Sequence, residues 1–462
     1  MRSIRSPLSS ILGLTGAFLV FCVLPARSQD ESRLFQRIDR NTGRHLAFLQ
    51  ELIRSVQEGE EAVQNRVAKR FASLGCRVEV LRIPPTELKL KHEFAARMEV
   101  PEEERISVVG TYEGERKGRS LLFFAHPDNP PQEDLDRWIH DPFGAEIEAG
   151  RVYGWGVADD LAGVAIMAEA LTAIRDAGLE PPGKIVLCST PAKRNAQGVI
   201  ALLSRGYTAD AAVYLHPAES GAGMKEIKAI ASGMLRFRIK VSGKPPKTTE
   251  PGKTAFAHLA VNAVDKALVV IRALKDLDDR RGEMVRHPGL DAAVGRSTNL
   301  LIGHLQAGSP EALTQVPEEC ILGASLTFPP SEKLEQVQRQ VEECVRRAAA
   351  SDTWLTDHPP VIEWLFGTQG VEIPVDHPLY RVVSDAIESV TGTLPYVNPL
   401  HSASDIRNPI LFSGIPTVGL GPLAGDLAQN RAHDEWVDAA DFIRAVKITA
   451  TIMLEWGKTG RD

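Results

Sequence analysis

Apolar runs and amphipathic stretches alternate along most of the chain, and their periods predict its elements. Between residues 31 and 75 apolar side chains recur at helical spacing, Leu49, Leu52, Val56, Val63, Val67 and Phe71 among them, which predicts helix. Cys76-Arg-Val-Glu-Val-Leu alternates in the manner of a half-buried strand. Two further strands are predicted at Ser107-Val-Val-Gly-Thr-Tyr and Ser120-Leu-Leu-Phe-Phe-Ala. The second is almost wholly apolar, which suits a strand buried on both faces. An Ala-rich helix at 160–177, a strand at Gly183-Lys-Ile-Val-Leu-Cys-Ser, a helix near 197–205 and a strand at Ala211-Ala-Val-Tyr-Leu come next. Strands alternating with helices predict an α/β domain with a mainly parallel sheet.

The pattern changes near residue 226. From Leu235 the segment Leu-Arg-Phe-Arg-Ile-Lys-Val alternates apolar with charged, the mark of a half-exposed antiparallel strand. A helix at about 258–276, strands at Thr298-Asn-Leu-Leu-Ile-Gly-His and Ile321-Leu-Gly-Ala-Ser-Leu-Thr, and a helix at 331–350 complete an α+β sandwich. The α/β pattern then resumes with a helix at 377–391, a strand at Ile415-Pro-Thr-Val-Gly-Leu and a helix at 439–457. The expected organisation is one α/β domain from 29–225 and 356–462, interrupted by an α+β unit at 226–355.

Residues 1–28 read as a signal peptide. Arg2 and Arg5 precede the apolar stretch Ile11–Leu24, and the small residues Ala26 and Ser28 precede Gln29. That stretch is 14 residues long, short of the roughly 20 needed to span a bilayer. Export to the periplasm or the extracellular space is expected, with no stable membrane span after processing. Four of the five cysteines lie beyond this segment, at 76, 188, 320 and 344. Their spacing shows neither a zinc motif nor a disulfide framework, so buried free thiols are expected, with a Cys320–Cys344 bridge left open. A formal net charge of −7 excludes the basic excess of a nucleic-acid-binding protein.

Polar groups that carry chemistry sit directly after the buried strands. His126-Pro-Asp128 follows Leu-Leu-Phe-Phe-Ala, Asp159-Asp160 opens the Ala-rich helix, and His216-Pro217 follows Ala-Val-Tyr-Leu. Ligands of α/β folds gather at the carboxyl ends of strands, and imidazole with carboxylate is ordinary zinc chemistry. Read from the residues alone, two accounts stand: a metal site, or strand-end histidines beside an aspartate that merely caps its helix.

The stretch from His126 to Gly163 resembles the zinc-dependent aminoacylases, carboxypeptidase G, acetylornithine deacetylase and succinyl-diaminopimelate desuccinylase. It carries His126-Pro-Asp128, Trp138, Asp141-Pro-Phe143 and Gly154-Trp-Gly-Val-Ala-Asp159-Asp160-Leu-Ala-Gly163. Val261-Asn-Ala263, Ser402-Ala-Ser-Asp405-Ile-Arg407, Gly414-Ile-Pro-Thr-Val-Gly-Leu-Gly421 and Glu435-Trp-Val-Asp438 extend the likeness over almost the whole mature chain. It implies a zinc-peptidase-like catalytic domain with an inserted lid that also serves dimerisation, and hydrolysis of peptides or N-acyl amino acids at two zinc ions. His126 and Asp159 match metal positions, Asp159 being the bridge. His216 stands where a carboxylate ligand is usual, and Asp128 would orient His126 from behind.

Several matches fail. The family's general base and second-metal glutamates align with Ala192 and Lys193, and the last ligand histidine aligns with Asn430 or Arg431, with His433 displaced. The resemblance therefore implies one zinc ion or none. Lys193 is expected to pair with Asp159 in the space of the missing ion, with Glu219 the nearest spare carboxylate in sequence. Two functions follow: an exported amide hydrolase impaired in two-zinc catalysis, or a non-catalytic peptide-binding or scaffold relative that pairs through its lid.

Overall fold

A computed structural model describes residues 29–84, 88, 90, 92–95, 104–128, 134–192, 198–217, 220–399, 404–424 and 433–460. The first helical stretch is three helices, α1 (Gln29–Arg40), α2 (Thr42–Ser55) and α3 (Glu60–Ser73). The second break falls at Gly59, whose φ of 96° is one that glycine adopts without steric cost. Strands β1 (Arg77–Arg82), β2 (Glu93–Ala95), β3 (Ile106–Tyr112) and β4 (Leu121–Ala125) follow, then helix α4 (Ala162–Asp176).

Strands β5 (Ile185–Ser189) and β6 (Ala211–Leu215) complete the middle of a six-stranded sheet. Its order is β1-β3-β5-β4-β6 and then the late strand Thr417–Leu420. The β5-β4, β4-β6 and β6-to-Thr417–Leu420 pairings are parallel, whereas β1 and β3 join antiparallel. The sheet is thus mixed at one edge. Every residue of β4, β5 and β6 is buried, because helices cover both faces. α4 is buried from Ala162 through Ile174.

The second sheet has five strands. β7 (Gly233–Ser242), helix α5 (Ala263–Met284), β8 (Asn299–Ala307), β9 (Glu319–Phe328), helix α6 (Leu334–Ala350) and β10 (Val361–Thr368) arise from one continuous stretch. The order is β8-β9-β7-β10-β2. Leu235, Phe237, Ile239 and Val241 of β7 pack against Val270 and Leu274 of α5 and Val337 and Val341 of α6. The opposite face is an open concavity of about 940 Å³ with Arg236, Arg238 and Lys240 in its lining, and it includes none of the expected metal ligands.

Two expectations need correction here. β10 lies beyond the boundary at 355, and β2, from long before the insertion, pairs with it through Phe94–Gly367. A pairing between such distant segments leaves no local pattern to read. The helix expected at 258–276 runs instead from Ala263 to Met284, with the Asn262 side chain accepting from the Val264 amide at 3.0 Å; that cap fixes its start. Cys76, Cys188, Cys320 and Cys344 are all unbridged and buried. After the second sheet, helix α7 (Pro378–Thr391) and helix α8 (Ala439–Trp456) complete the first domain. Among the described residues no helix is long and apolar enough to cross a membrane.

Candidate metal centre

β4 and β6 are parallel neighbours in register, Phe124 opposite Tyr214. The residues that leave the two strands therefore emerge side by side, and the rings of His126 and His216 lie 5.7 Å apart. Asp159 comes from the other direction, in the turn between Gly156 and α4, where its backbone is not helical. The Asp159–Asp160 peptide is cis. Gly163 lets the first turn of α4 approach the end of β6: a Cβ there would meet the Leu215 carbonyl oxygen at 2.2 Å.

These three side chains converge. His126 Nε2 is 3.1 Å and His216 Nε2 is 3.2 Å from the same Asp159 oxygen. All three residues are buried, with one candidate ligand atom from each lying within 4.8 Å of the others. Tetrahedral zinc with bonds of about 2.1 Å needs ligand atoms roughly 3.4 Å apart, so small side-chain rotations suffice. The donor set fits one divalent ion. Among the described residues this is the sole group of its kind.

Electrostatics follow from burial. Removal from water would raise the Asp159 carboxyl, but the two imidazoles outweigh it and hold it well below the usual range. Burial would lower His126; the Asp159 charge and the contacts with Asp128 and Asp159 hold it well above. Asp160 moves the other way: burial pushes it well above the carboxylate range, against the pull of His126. Its oxygens brace the site by accepting the amides of His126 at 3.4 Å and Gly163 at 3.1 Å. Asp128, fully buried, lies 3.4 Å from His126 Nδ1 and accepts the Ala192 amide at 2.7 Å. A carboxylate on the outer nitrogen of a ligand histidine orients the ring.

The model of peptidase family M20/M25/M40 matches residues 122–455. The chain belongs to this family. N-formyl-4-amino-5-aminomethyl-2-methylpyrimidine deformylase from Halalkalibacterium halodurans is 24% identical over 446 residues, 92% of this chain and 96% of the relative. A tripeptidase from Staphylococcus aureus superposes with a TM-score of 0.66 at 18% identity, over 91% of this chain and 99% of its own. A dinuclear metal-binding M20 peptidase from Bacillus subtilis superposes with a TM-score of 0.58 at 14% identity, over 91% and 99%. The mixed α/β fold is that of M20 peptidases.

Ala192, which the sequence reading aligned with the family's general base, is buried and its amide is held by Asp128. Lys193 and Glu219 lie outside the described residues, and with Lys193 its expected pairing with Asp159. Asn430 and Arg431 lie outside them too. His433 is half-buried in a turn and is not one of the converging three.

Two residues escaped the sequence reading. Glu435, buried, accepts the Gly156 amide through its side chain and the Gly154 amide through its carbonyl at 3.3 Å, so it carries the turn that presents Asp159. Lys228 is fully buried and its Nζ lies 3.0 Å from His216 Nδ1. A charge inside the apolar run Ile227-Lys-Ala-Ile-Ala was the available signal, since lysine is almost never fully buried without partners.

Proposed function

We propose that this chain is an exported M20 hydrolase of small amides, peptides or N-acyl amino acids that holds one zinc ion at His126, Asp159 and His216 and turns over slowly. The observation that carries this reading is the convergence of both imidazoles on one Asp159 oxygen. A divalent ion there supplies Lewis-acid polarisation of an amide carbonyl. The chain's own part is to orient: Asp128 sets His126, while Asp160 and Glu435 hold the two backbone turns. What it lacks is a carboxylate at Ala192 to move a proton, and a general base is worth about 10²–10⁴ in rate. A relative that acts on a formyl amide, the deformylase, supports the substrate class.

Elemental analysis of purified protein loaded with excess zinc and then desalted tests this reading. One ion per chain is expected, and two would overturn it. None would favour the second reading, a non-catalytic peptide binder, which the methyl at Ala192 supports. Export is part of the proposal: the secreted chain should begin at Gln29 on N-terminal sequencing. So is pairing of two copies through the lid, whose strand β8 exposes Leu301 and Leu305; light scattering at twice the chain mass checks it.

A further inference from the structure

We propose that the open face of the second sheet is a docking groove for an extended acidic peptide, which lies along β7 with a carboxylate at every second residue. On this face β7 carries Arg236, Arg238 and Lys240, while Leu235, Phe237, Ile239 and Val241 pack on the helices behind. The cations occupy successive outward positions of one strand, about 6.8 Å apart. The strand beside them is cut down: Ser325 of β9 lies opposite Arg236, and Gly323 opposite Arg238. A groove therefore runs along β7, floored by Gly323 and Ser325. Its far wall is β8, where His304 stands opposite Gly323 and Gln306 opposite Ile321. Gly323 has to be small, since a Cβ there would meet His304 Cβ at 2.9 Å.

Bulges curve the sheet around this groove. Gly303 is the extra residue of β8, between Ile302 and His304; Leu365 is that of β10, where the register with β7 shifts between Arg236 and Phe237. A bulge bends its strand and sharpens the twist, and here one lies on each side of the β7–β9 pair. The charges point to the occupant. Like charges in file repel one another. Glu363 reaches Arg238 at 3.8 Å and Glu319 pairs with Lys240, with at least 40% of each of these side chains accessible. Pairs that exposed contribute little, so an incoming carboxylate exchanges for them readily. Arg236 lies over the Phe366 ring at 4.9 Å, which steadies its guanidinium at the end of the groove. An extended peptide repeats the side chains of one face at the same interval of about 6.8 Å, so its alternate carboxylates match the file of cations. The displaced glutamates then find donors in the peptide's own amides, which a phosphate or sulfate polymer lacks.

Neither the metal reading nor the pairing of two copies enters this inference. The mature chain is titrated into fluorescein-labelled peptides of about eight residues in about 0.1 M salt, one alternating glutamate with serine, the other holding the same residues in two blocks. Anisotropy should show saturable binding, with the alternating peptide at least about 10-fold tighter. Arg238→Gln should weaken that binding about 10-fold. Ser325→Phe fills the groove and leaves every charge in place. An aromatic residue suits a strand, so the fold should hold while binding of the alternating peptide is lost. Equal affinity for the two peptides would overturn the proposal, because charge would then attract without any register. So would undiminished binding by Ser325→Phe or, should that variant not fold, by Arg238→Gln. Absence of saturable binding up to about 1 mM protein, or tighter binding of a single-stranded oligonucleotide than of the alternating peptide, would overturn it as well.

Discussion

Among the described residues two buried clusters join histidine, carboxylate and cation, and they differ in how the carboxylate is shared. At the strand ends, one Asp159 oxygen receives both His126 and His216. Between α2, α3 and α4, Glu169 divides its oxygens: one meets His45 Nδ1 at 2.7 Å, and the other meets Arg70 Nε at 2.9 Å and Nη2 at 2.5 Å. Arg70 also donates to Thr172 at 3.1 Å. The second cluster satisfies its carboxylate with donors from all sides and leaves no point where three ligand atoms converge. The first points two ring nitrogens at a common centre. A buried His–carboxylate contact is therefore not in itself a site; convergence on one oxygen is what sets the two apart.

That difference can be broken by two substitutions. Asp159→Asn keeps shape but removes the anion from the centre; zinc affinity should fall more than about 100-fold, which is about 2.7 kcal/mol, with cooperative unfolding retained. Competition with a chromogenic chelator measures it. Glu169→Ala should do the reverse. Removing one partner of a buried charged pair costs about 3–5 kcal/mol, here by stranding Arg70 and His45, while zinc affinity of the remaining folded protein should be unchanged. Denaturant titration checks the stability. A Glu169 variant that lost zinc as strongly as Asp159→Asn would erase the distinction.

A finer cut separates the two histidines of the site. His126 has Asp128 behind it and His216 has Lys228. If both are ligands, His216→Ala and His126→Ala should each weaken zinc binding, and Asp128→Ala should cost about 10–100-fold through His126, as loss of an orienting group does. Isothermal titration of the three variants would show it. An Asp128→Ala protein with wild-type affinity would mean that the Ala192 amide, not His126, is its real partner.

Much of this was legible before any coordinates. The strand ends carrying His126 and His216 were readable because β4 and β6 are apolar throughout, and buried parallel strands leave that signature. Asp159 was readable only through the family resemblance of the stretch from Gly154 to Gly163, because its place at a helix entry suited a cap equally well. Lys228 was not, because its role depends on a bridge to Gly419, 191 positions away by residue number, and no local period encodes that. Glu435 was visible only as part of a motif; its hold on the Gly156 amide joins segments still more remote. β2 was missed for the same reason, three residues being too few to show alternation. What local patterning conveys is faces and ends of elements; what it omits is which distant chain segment completes them.

A third histidine–carboxylate pair carries the comparison to the surface, where the effect should be smallest. His140 stacks on Tyr153 at 3.6 Å and places Nδ1 2.9 Å from Asp434 and Nε2 2.8 Å from Glu148. Asp434 also accepts the Ile139 and His140 amides at 3.0 and 2.9 Å, so the pair pins the Trp138 loop to the turn before Glu435. The hydrogen bond to Glu148 raises the His140 pKa, burial opposes it, and Asp434 adds to the rise. A group raised above its unfolded value binds its proton more tightly when folded. Its contribution is fully present below the unfolded value of about 6.5 and is lost as pH rises through the folded value. His140→Gln should therefore lower Tm by about 1–2 °C at pH 5.5 and by less at pH 9, as the native proton is progressively lost. Glu148 is largely exposed, with 71% of its side chain accessible, so 0.5 M salt should shrink even the low-pH difference. Differential scanning calorimetry at both pH values decides it. A penalty that grows with pH would mean that the ring matters for its stacking on Tyr153 and not for its charge.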